Sequence, residues 1–198
     1  RFVLTSTTAL YGHAVVAGGC RWIDEDTEPL PRTIYHRSKL QAEALAEAAA
    51  APGFSVRVLR MARCFPEPPE RMAMFRLHRG IDARDVASAH AALLHDEGAA
   101  FARYIACAPT PFLREDCLEL ATQPRRVLAR RAPLLLAEFE RRGWPLPLSI
   151  DRVSDSALMR STLGWQPRFG PDDVLQQYAV GSIEVLPRAE WIKDRVAE

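Results

Sequence analysis

The sequence predicts an α/β fold, in which part of a parallel β-sheet is followed by a small, mostly helical cap. Three short segments rich in β-branched and aromatic residues alternate with helix-forming segments, and the chain becomes mostly helical after Pro111. This alternation is typical of a parallel sheet, because each pair of parallel strands needs a long crossover connection. We therefore expect a sheet unit over residues 1–110 and a cap over residues 111–198.

The first strand is expected at residues 2–4, where an apolar run leads into a polar Ser/Thr turn. Residues 12–32 contain glycines, acidic residues and prolines, which is the composition of a loop. A helix is expected over about residues 32–50, with Thr33 near its N-cap and Pro52-Gly53 as its stop.

A second strand is expected at residues 54–61, where apolar and polar residues alternate, before three closely spaced prolines interrupt the chain. A helix over about residues 83–95 and a third strand over residues 102–107 follow. Residues 112–142 and 151–198 are expected to be mostly helical. This order of elements indicates a Rossmann-like half-sheet that carries a helical cap.

The composition excludes several classes of partner. The chain has 198 residues, of which 48% are apolar and 26% are charged, and its net charge is +1. Neither a nucleic acid nor a membrane is predicted as a partner, because no charge excess exists and no apolar run is long enough to span a bilayer. The four cysteines form no C-x-x-C pair, so we expect reduced thiols, no metal site and a cytoplasmic protein.

Tyr35 and Lys39 lie four residues apart on the first predicted helix, so they share one face, one turn apart. A tyrosine hydroxyl has an ordinary pKa of about 10, which is too high for efficient proton transfer at neutral pH. A neighbouring ammonium group favours the phenolate. The pair is therefore a candidate acid/base that exchanges a proton with a substrate oxygen while a hydride moves at the adjacent carbon. A surface pair of the same spacing is the alternative.

Three features surround this pair in a fixed order. The first strand ends in a Ser/Thr run that includes Thr7 and is followed by Tyr11-Gly12, a loop then leads to the Tyr35 helix, and the next strand ends in Leu59-Arg60. This order resembles the extended short-chain dehydrogenases/reductases, the family that includes NAD-dependent epimerases and dehydratases. The motifs are individually loose, but they are specific as an ordered set.

Two further segments extend the resemblance over most of the chain. Residues 80–90 resemble the family's aspartate-bearing segment, in which Asp85 is expected to cap or buttress the helix that follows. Residues 163–167, Leu-Gly-Trp-Gln-Pro, resemble the family's Leu-Gly-Trp-x-Pro element. That element is expected to be structural, with glycine ending a helix, tryptophan packing and proline preventing continuation.

The resemblance implies a role for each candidate residue. Tyr35 would be the general acid/base, and Lys39 would bind the nicotinamide ribose and promote ionisation of the tyrosine. Thr7 would hydrogen-bond the substrate oxygen, with its neighbour Ser6 as the alternative at that position. The other candidates are Ala62, Arg63 and Cys64 beside the nicotinamide, and Thr8 and Arg79 beside the substrate.

The activity implied by the resemblance is an NAD- or NADP-dependent oxidoreductase, epimerase or dehydratase that acts on a sugar or a small hydroxy or carbonyl compound. The sheet unit would be a partial dinucleotide-binding domain that lacks the first strands, because no glycines have the G-x-x-G-x-x-G spacing that binds the pyrophosphate. We therefore expect an N-terminally truncated member of the family. The alternative is a non-catalytic module of the same fold, such as a cofactor sensor.

The substrate and the assembly are predicted only in outline. The segment between Pro69 and Gly80 is shorter than in family members that bind nucleotide-sugars, and His78 and Arg79 are its nearest basic residues. A small substrate without a nucleotide is therefore favoured. A homodimer is one expectation, because family members often pair through the Tyr–Lys helix, whose alanine-rich end at residues 44–50 permits close approach; an intrachain contact explains those alanines equally well.

Overall fold

The computed structural model describes residues 1–12 and 18–185. Its strands and helices alternate in the first half of the chain, and helices dominate the second half. The strands are β1 (Phe2–Thr7), β2 (Arg21–Ile23), β3 (Val56–Met61), β4 (Phe101–Ala106) and β5 (Arg152–Ser154). The helices are α1 (Ile34–Ala48), α2 (Pro69–His78), α3 (Ala83–Leu94), α4 (Cys117–Leu120), α5 (Pro124–Arg131), α6 (Pro133–Arg142), α7 (Ala157–Leu163) and α8 (Pro171–Ala179).

A three-stranded parallel sheet in the order β1-β3-β4 forms the centre of the fold, which confirms the predicted α/β class. β1 is longer than predicted, because the expected turn residues Thr5 to Thr7 pair with Leu59 to Met61 of β3. α1 begins as predicted, since the Thr33 hydroxyl accepts a hydrogen bond from the backbone N–H of His36. In the part of the chain that the structure describes, no helix is long and apolar enough to cross a membrane.

Three elements depart from the prediction. β2 lies in the expected loop and pairs in parallel with β5, which lies in a segment expected to be helical. Each of these strands is only three residues long, too short for a pattern of alternation, and each is stabilised by a partner far away in the sequence. α2 begins at Pro69, where the prolines were expected to interrupt the chain; proline is favourable in the first helical turn because its missing N–H needs no partner there.

α1 and α3 cover opposite faces of the central sheet. The Ser6 hydroxyl donates a hydrogen bond to Glu43 of α1, whereas the Thr5 hydroxyl lies 2.7 Å from His90 Nε2 of α3. Neighbouring residues of a strand point to opposite faces. The connection from β1 to β3 through α1 and the connection from β3 to β4 through α3 both move in the same direction across the sheet. Because α1 and α3 lie on opposite faces, the two connections have opposite handedness. One crossover is therefore left-handed, against the strong preference for right-handed connections.

A buried polar network joins α1 to all three strands. Arg60 Nη2 of β3 lies 2.6 Å from Glu43 Oε2, and both side chains are almost fully buried. Glu43 also accepts from Ser6 of β1 and lies 3.2 Å from Arg103 Nε of β4. Arg60 donates to the hydroxyl of Tyr11, which follows β1, and burial raises the pKa of that hydroxyl. The carboxylate of Glu43 therefore fixes α1 to the sheet.

α3 connects the sheet to the Leu-Gly-Trp-Gln-Pro element. Trp165 packs in the core beneath α3, and its indole N–H donates to Ser88 Oγ at 2.9 Å. Asp85 does not cap α3; Asp82 does, by accepting from the backbone of Arg84. The Asp85 carboxylate instead accepts from the two backbone N–H groups at residues 168–169, which follow the element. Its role is structural, as a clamp on this segment.

A second core lies between α2 and the helices of the C-terminal half. It contains Leu77 of α2, Leu128 of α5, Phe139 of α6 and Val174 of α8. α2 lies in the predicted sheet unit, yet it packs against α8 of the predicted cap. In the same way, β2 lies in the predicted sheet unit and pairs with β5 of the predicted cap. The boundary at residue 110 remains a prediction, and these two contacts cross it. The helix expected over residues 186–198 lies outside the described residues.

Replacing Glu43 by alanine is expected to lower the free energy of unfolding by about 3–5 kcal/mol, because Arg60 would remain charged and unpaired in the core. Urea unfolding followed by circular dichroism measures this change. Glu138→Ala is the matched control, since it breaks ion pairs with Arg141 and Arg142 on the surface of α6, and surface pairs contribute little. Equal stability of the two variants would contradict the role assigned to Glu43.

Candidate active site

The three strands of the central sheet end at the same edge. Thr7 of β1 is in register with Met61 of β3, and Met61 is in register with Ala106 of β4. Ligands of open parallel sheets bind outside the carboxyl ends of the strands, because the loops that leave those ends form a crevice. The segments after β1 and β3 carry most of the predicted site residues, so the sequence prediction and the topology point to one edge.

Lys39 is held against β1. Its Nζ donates to the carbonyl oxygen of Thr5 at 3.0 Å. The N–H of Phe2 donates to the Ser55 carbonyl next to β3. Because the backbone groups of successive strand residues point alternately to the two sides, those of Phe2, Leu4 and Ser6 face β3, and the Thr5 carbonyl faces the opposite edge. The ammonium group therefore lies on the edge of β1 that has no strand partner among the described residues, two residues before Thr7.

Tyr35 lies in the first turn of α1, one turn before Lys39. Its side chain is 51% exposed, and its ring lies edge-on to that of His36, with 6.1 Å between the ring centroids. Within residues 1–12 and 18–185, the hydroxyl has no hydrogen-bond partner, and no contact joins it to Thr7. The hydroxyl is thus open to a ligand, while the lysine of the pair is engaged with the strand.

Thr7 and Ser6 differ in their surroundings. The Thr7 hydroxyl oxygen accepts from the N–H of Ala9 at 3.1 Å, which starts a 3-10 turn at Thr8, and its hydrogen remains available as a donor. Ser6 is 2% exposed and donates its hydroxyl hydrogen to Glu43. Of the two alternatives left by the sequence, Thr7 is the one with a donor to offer to a substrate; Thr8 is half-buried beside it.

The chain that leaves β3 is fixed by backbone hydrogen bonds. The N–H of Ala62 donates to the Ala106 carbonyl, and Arg63 exchanges backbone bonds with Arg79 and Ile81. Gly80 allows this approach, because a Cβ there would lie 2.8 Å from the carbonyl carbon of Phe75. Ala62 is buried and its N–H is used in the sheet, so only its neighbours Arg63 and Cys64 present side chains to a ligand.

A cavity of about 490 Å³ lies beside this segment, between β3's exit and α2. Two guanidinium groups lie over the ring of Phe75 in α2, with Arg63 Cζ 5.1 Å and Arg79 Cζ 4.6 Å from the ring centroid. Burial raises the pKa of the Cys64 thiol, so this thiol is protonated and unreactive. The lining residues include Cys64, Phe65, Met72, Phe75, Arg76 and Asp82.

The cavity is lined by two arginines, Arg63 and Arg76, and by three carboxylates, Glu67, Asp82 and Glu184. Asp82 pairs with both Arg76, at 2.7 Å, and Arg84, at 2.9 Å. Arg76 is only 6% exposed, and its Nη1 has no hydrogen-bond partner among the described residues. Burial lowers the pKa of Arg76, which means that its charge is only partly compensated by Asp82. Arg79 Nε is likewise buried and unpartnered within the described part of the chain.

Two titratable groups of the described residues, His78 and Glu25, have strongly shifted pKa values. His78 is buried, its Nδ1 lies 2.9 Å from the Arg152 carbonyl, and burial next to Arg79 lowers its pKa to about 3. Its ring is therefore neutral and donates to that carbonyl, so it is not an anion ligand. Glu25 accepts from the N–H of Ile105 at the outer edge of β4, and burial raises its pKa to about 7.

The sequence prediction missed Arg76 and Phe75, which are the side chains that shape the cavity. They were missed because α2 was not predicted. The sequence does contain a signal for this helix. Pro69 stands at the first helical position, and Glu70 and a run of helix formers follow it.

No family model matches the chain, and no curated protein is similar to it. Solved structures do match. RMD from Pseudomonas aeruginosa complexed with NADPH is 22% identical, with a TM-score of 0.51, and the match covers 88% of this chain and 63% of that one. UDP-N-acetylglucosamine 4-epimerase from Bacillus cereus is 17% identical, with a TM-score of 0.58, and the match covers 90% and 60% of the two chains.

A third match carries both a cofactor and a nucleotide-sugar. It is UDP-glucose-4-epimerase from Stenotrophomonas maltophila with bound NAD and formylated UDP-arabinopyranose, 18% identical, with a TM-score of 0.55, covering 91% and 64% of the chains. The chain therefore has the fold of these solved structures. It spans about 60% of the length of each of the three.

The pH dependence of stability is expected to contain two opposing contributions between about pH 5 and pH 7. The pKa of His78 is lower in the folded state, at about 3, than its ordinary value of 6.5, so the unfolded chain takes up more protons and acid removes stability. The pKa of Glu25 is higher in the folded state, at about 7, than its ordinary value of 4.5, so acid adds stability. The two contributions offset each other in the native chain.

Single substitutions should separate them. Glu25→Gln is expected to lose about 2 kcal/mol of unfolding free energy between pH 7 and pH 5, because only the His78 contribution remains. His78→Gln should show the opposite slope and gain stability over the same change. Urea unfolding of both variants at the two pH values checks this, and equal slopes in the two variants would count against it.

Proposed function

We propose that the chain forms the catalytic part of an NAD- or NADP-dependent oxidoreductase, epimerase or dehydratase that acts on a sugar or a small hydroxy or carbonyl compound. The observation that carries the proposal is the position of the Tyr35–Lys39 helix. Lys39 contacts β1 two residues before Thr7, and the hydroxyl of Tyr35 on the same helix has no hydrogen-bond partner among the described residues. This is an acid/base pair at the edge where parallel sheets bind ligands.

In this proposal Tyr35 exchanges the proton of the reacting oxygen. Thr7 holds that oxygen through the hydroxyl hydrogen that its contact with Ala9 leaves available. Lys39, one turn away on the same face of α1, supplies a positive charge next to the tyrosine. Lys39 has a flexible stem, and its hydrogen-bond partner among the described residues is a backbone carbonyl, so it can exchange that partner for a ribose hydroxyl without leaving a buried ion pair broken.

The cofactor fits the same edge. NAD or NADP, when bound, supplies the hydride acceptor or donor at the carbinol carbon. Tyr35 and Lys39 would hold its ribose, and Ala62, Arg63 and Cys64 would border its nicotinamide. Similar folds are complexed with NADPH in one case and with NAD in another, which supports this class of cofactor. A homodimer through α1 remains a further prediction of the family resemblance.

We also propose that the substrate carries an acidic group, a carboxylate or a phosphate. Arg76 lines the cavity, and its Nη1 has no hydrogen-bond partner among the described residues. Two of the three lining carboxylates are shared between arginines: Asp82 between Arg76 and Arg84, and Glu67 between Arg63 and Arg71. Guanidinium groups bind carboxylates and phosphates through paired hydrogen bonds. Arg79, the predicted substrate ligand, lies over the same Phe75 ring as Arg63 and would add to the same positive field.

Tyr35→Phe is expected to lower turnover by about a hundredfold or more, because the proton donor is lost while the ring remains. The assay uses the gene product that contains this chain, with NAD or NADP and a panel of nucleotide-sugars and small hydroxy acids. Tyr178→Phe is the control, since it removes a hydroxyl from α8, in the second core. Unchanged turnover in Tyr35→Phe would refute the mechanism and favour the non-catalytic alternative.

Arg76→Met is expected to weaken binding of inorganic phosphate or acetate by about tenfold or more, because a hydrogen bond to a charged group is lost. Isothermal titration calorimetry measures the change. Arg141→Met removes an exposed arginine from α6 and should bind as the native chain does. Equal affinities in the two variants would refute the acidic-group proposal and leave the Tyr35 mechanism untouched.

A further inference from the structure

Cys20 and Cys117 lie far apart in the sequence but side by side in the fold. Cys20 directly precedes β2, and Cys117 is the first residue of α4. The two thiols face the same cleft and are close enough for each to influence the ionisation of the other. Both are half-buried, both line one open cleft, and both are free thiols. Because the two cysteines are distant in the sequence, they carry no C-x-x-C signature.

Independent contacts fix the two segments against each other. Arg114, which lies just before α4, forms an ion pair with Asp24 at 2.8 Å, and its guanidinium lies 5.7 Å from the Trp22 ring centroid. The N–H of Arg21 donates to the Asp151 carbonyl, which holds the start of β2 in place. The thiols therefore meet between two anchored segments.

The two thiols are not equivalent. The pKa of Cys117 is lowered, first by the hydrogen bond from Cys20 and then by the positive charge of Arg114. The pKa of Cys20 is raised by the same hydrogen bond and by burial. A thiolate is the nucleophilic form of cysteine. Arg114 lines the same cleft and its positive charge favours the Cys117 thiolate, so we assign Cys117 as the nucleophile and Cys20 as the resolving thiol.

We propose that Cys20 and Cys117 form a redox site, which a hydroperoxide converts into an intramolecular disulfide. The other two cysteines do not share this environment: Cys107 is fully buried, and burial raises its pKa to about 12, while Cys64 lines the cavity beside β3. The proposal is independent of the activity proposed above.

The chemistry balances as two steps. The Cys117 thiolate attacks one oxygen of the hydroperoxide, the O–O bond breaks, and the products are a sulfenic acid and an alcohol or water. The Cys20 sulfur then attacks the sulfenic sulfur, an S–S bond forms, and hydroxide leaves with the Cys20 proton as water. The protein loses two electrons and two protons, and the hydroperoxide is reduced. A thiol reductant reverses the change.

The disulfide would tie the start of β2 to α4. β2 follows the segment that leaves the Thr8–Tyr11 turn, next to the proposed catalytic edge, whereas α4 belongs to the helices of the second half. Oxidation would thus add a covalent link between two regions that the ion pair of Arg114 with Asp24 now holds together.

Trypsin places the four cysteines in separate peptides, which permits a direct test. Cys20 lies in the peptide of residues 2–21 and Cys117 in that of residues 115–125, whereas Cys64 and Cys107 lie in the peptides 64–71 and 104–114. The reduced chain is treated with one equivalent of hydrogen peroxide, alkylated and digested without reductant. We expect peptides 2–21 and 115–125 to appear joined, with the loss of two hydrogen atoms, and to separate on reduction.

Variants sharpen the test. A Cys64→Ser, Cys107→Ser double variant should form the same linked peptides. Cys20→Ala should leave Cys117 as a sulfenic acid that dimedone traps, and Arg114→Gln should slow its reaction with peroxide. Peptides 2–21 and 115–125 that stay alkylated and unlinked while peroxide is consumed, or links that run through Cys64 or Cys107, would overturn the proposal.

Discussion

The ion pair between Glu43 and Arg60 is the interaction on which the proposed site depends. Both charges are buried, so each would be costly alone, and removing either one leaves the other uncompensated. Ser6, near the end of β1, donates a hydrogen bond to Glu43, and Tyr11, which follows β1, accepts one from Arg60. Because the carboxylate belongs to α1, this network determines where the helix lies on the sheet, and so where its first two turns present Tyr35 and Lys39.

At each outer edge of the central sheet, a charged side chain forms a hydrogen bond with a backbone group that has no strand partner among the described residues. Lys39 donates to the Thr5 carbonyl at the edge of β1, and Glu25 accepts from the Ile105 N–H at the edge of β4. Charged side chains at an edge prevent further strand pairing. The contact of Lys39 is the more easily exchanged of the two, because its hydrogen bond is exposed, whereas that of Glu25 is partly buried.

Local signals in the sequence were sufficient for α1 and for the three strands of the central sheet. Thr33, the run of helix formers and the alternating residues of β3 each determine structure within a few positions. β2 and β5 were not predictable in this way, because each is stabilised by the other across more than a hundred residues. Asp85 has the structural role that the sequence analysis gave it, but its partner was predicted wrongly. Its two carboxylate oxygens accept from the backbone N–H groups of residues 168–169, which only the fold brings near. The Cys20–Cys117 pair was hidden for the same reason.

The proposed catalytic pair and the arginine-lined cavity are connected through adjacent strands. Thr7 and Met61 are in register at the ends of β1 and β3, and Arg63 follows Met61 by two residues and stacks on Phe75 at the cavity. In the proposed binding mode, a substrate that places its reacting oxygen at Thr7 would extend along the strand ends toward Arg63 and Arg76. The buried, partly compensated charge of Arg76 is unfavourable in the absence of an anion, so the same arrangement that orients the substrate would also gain stability when the substrate binds.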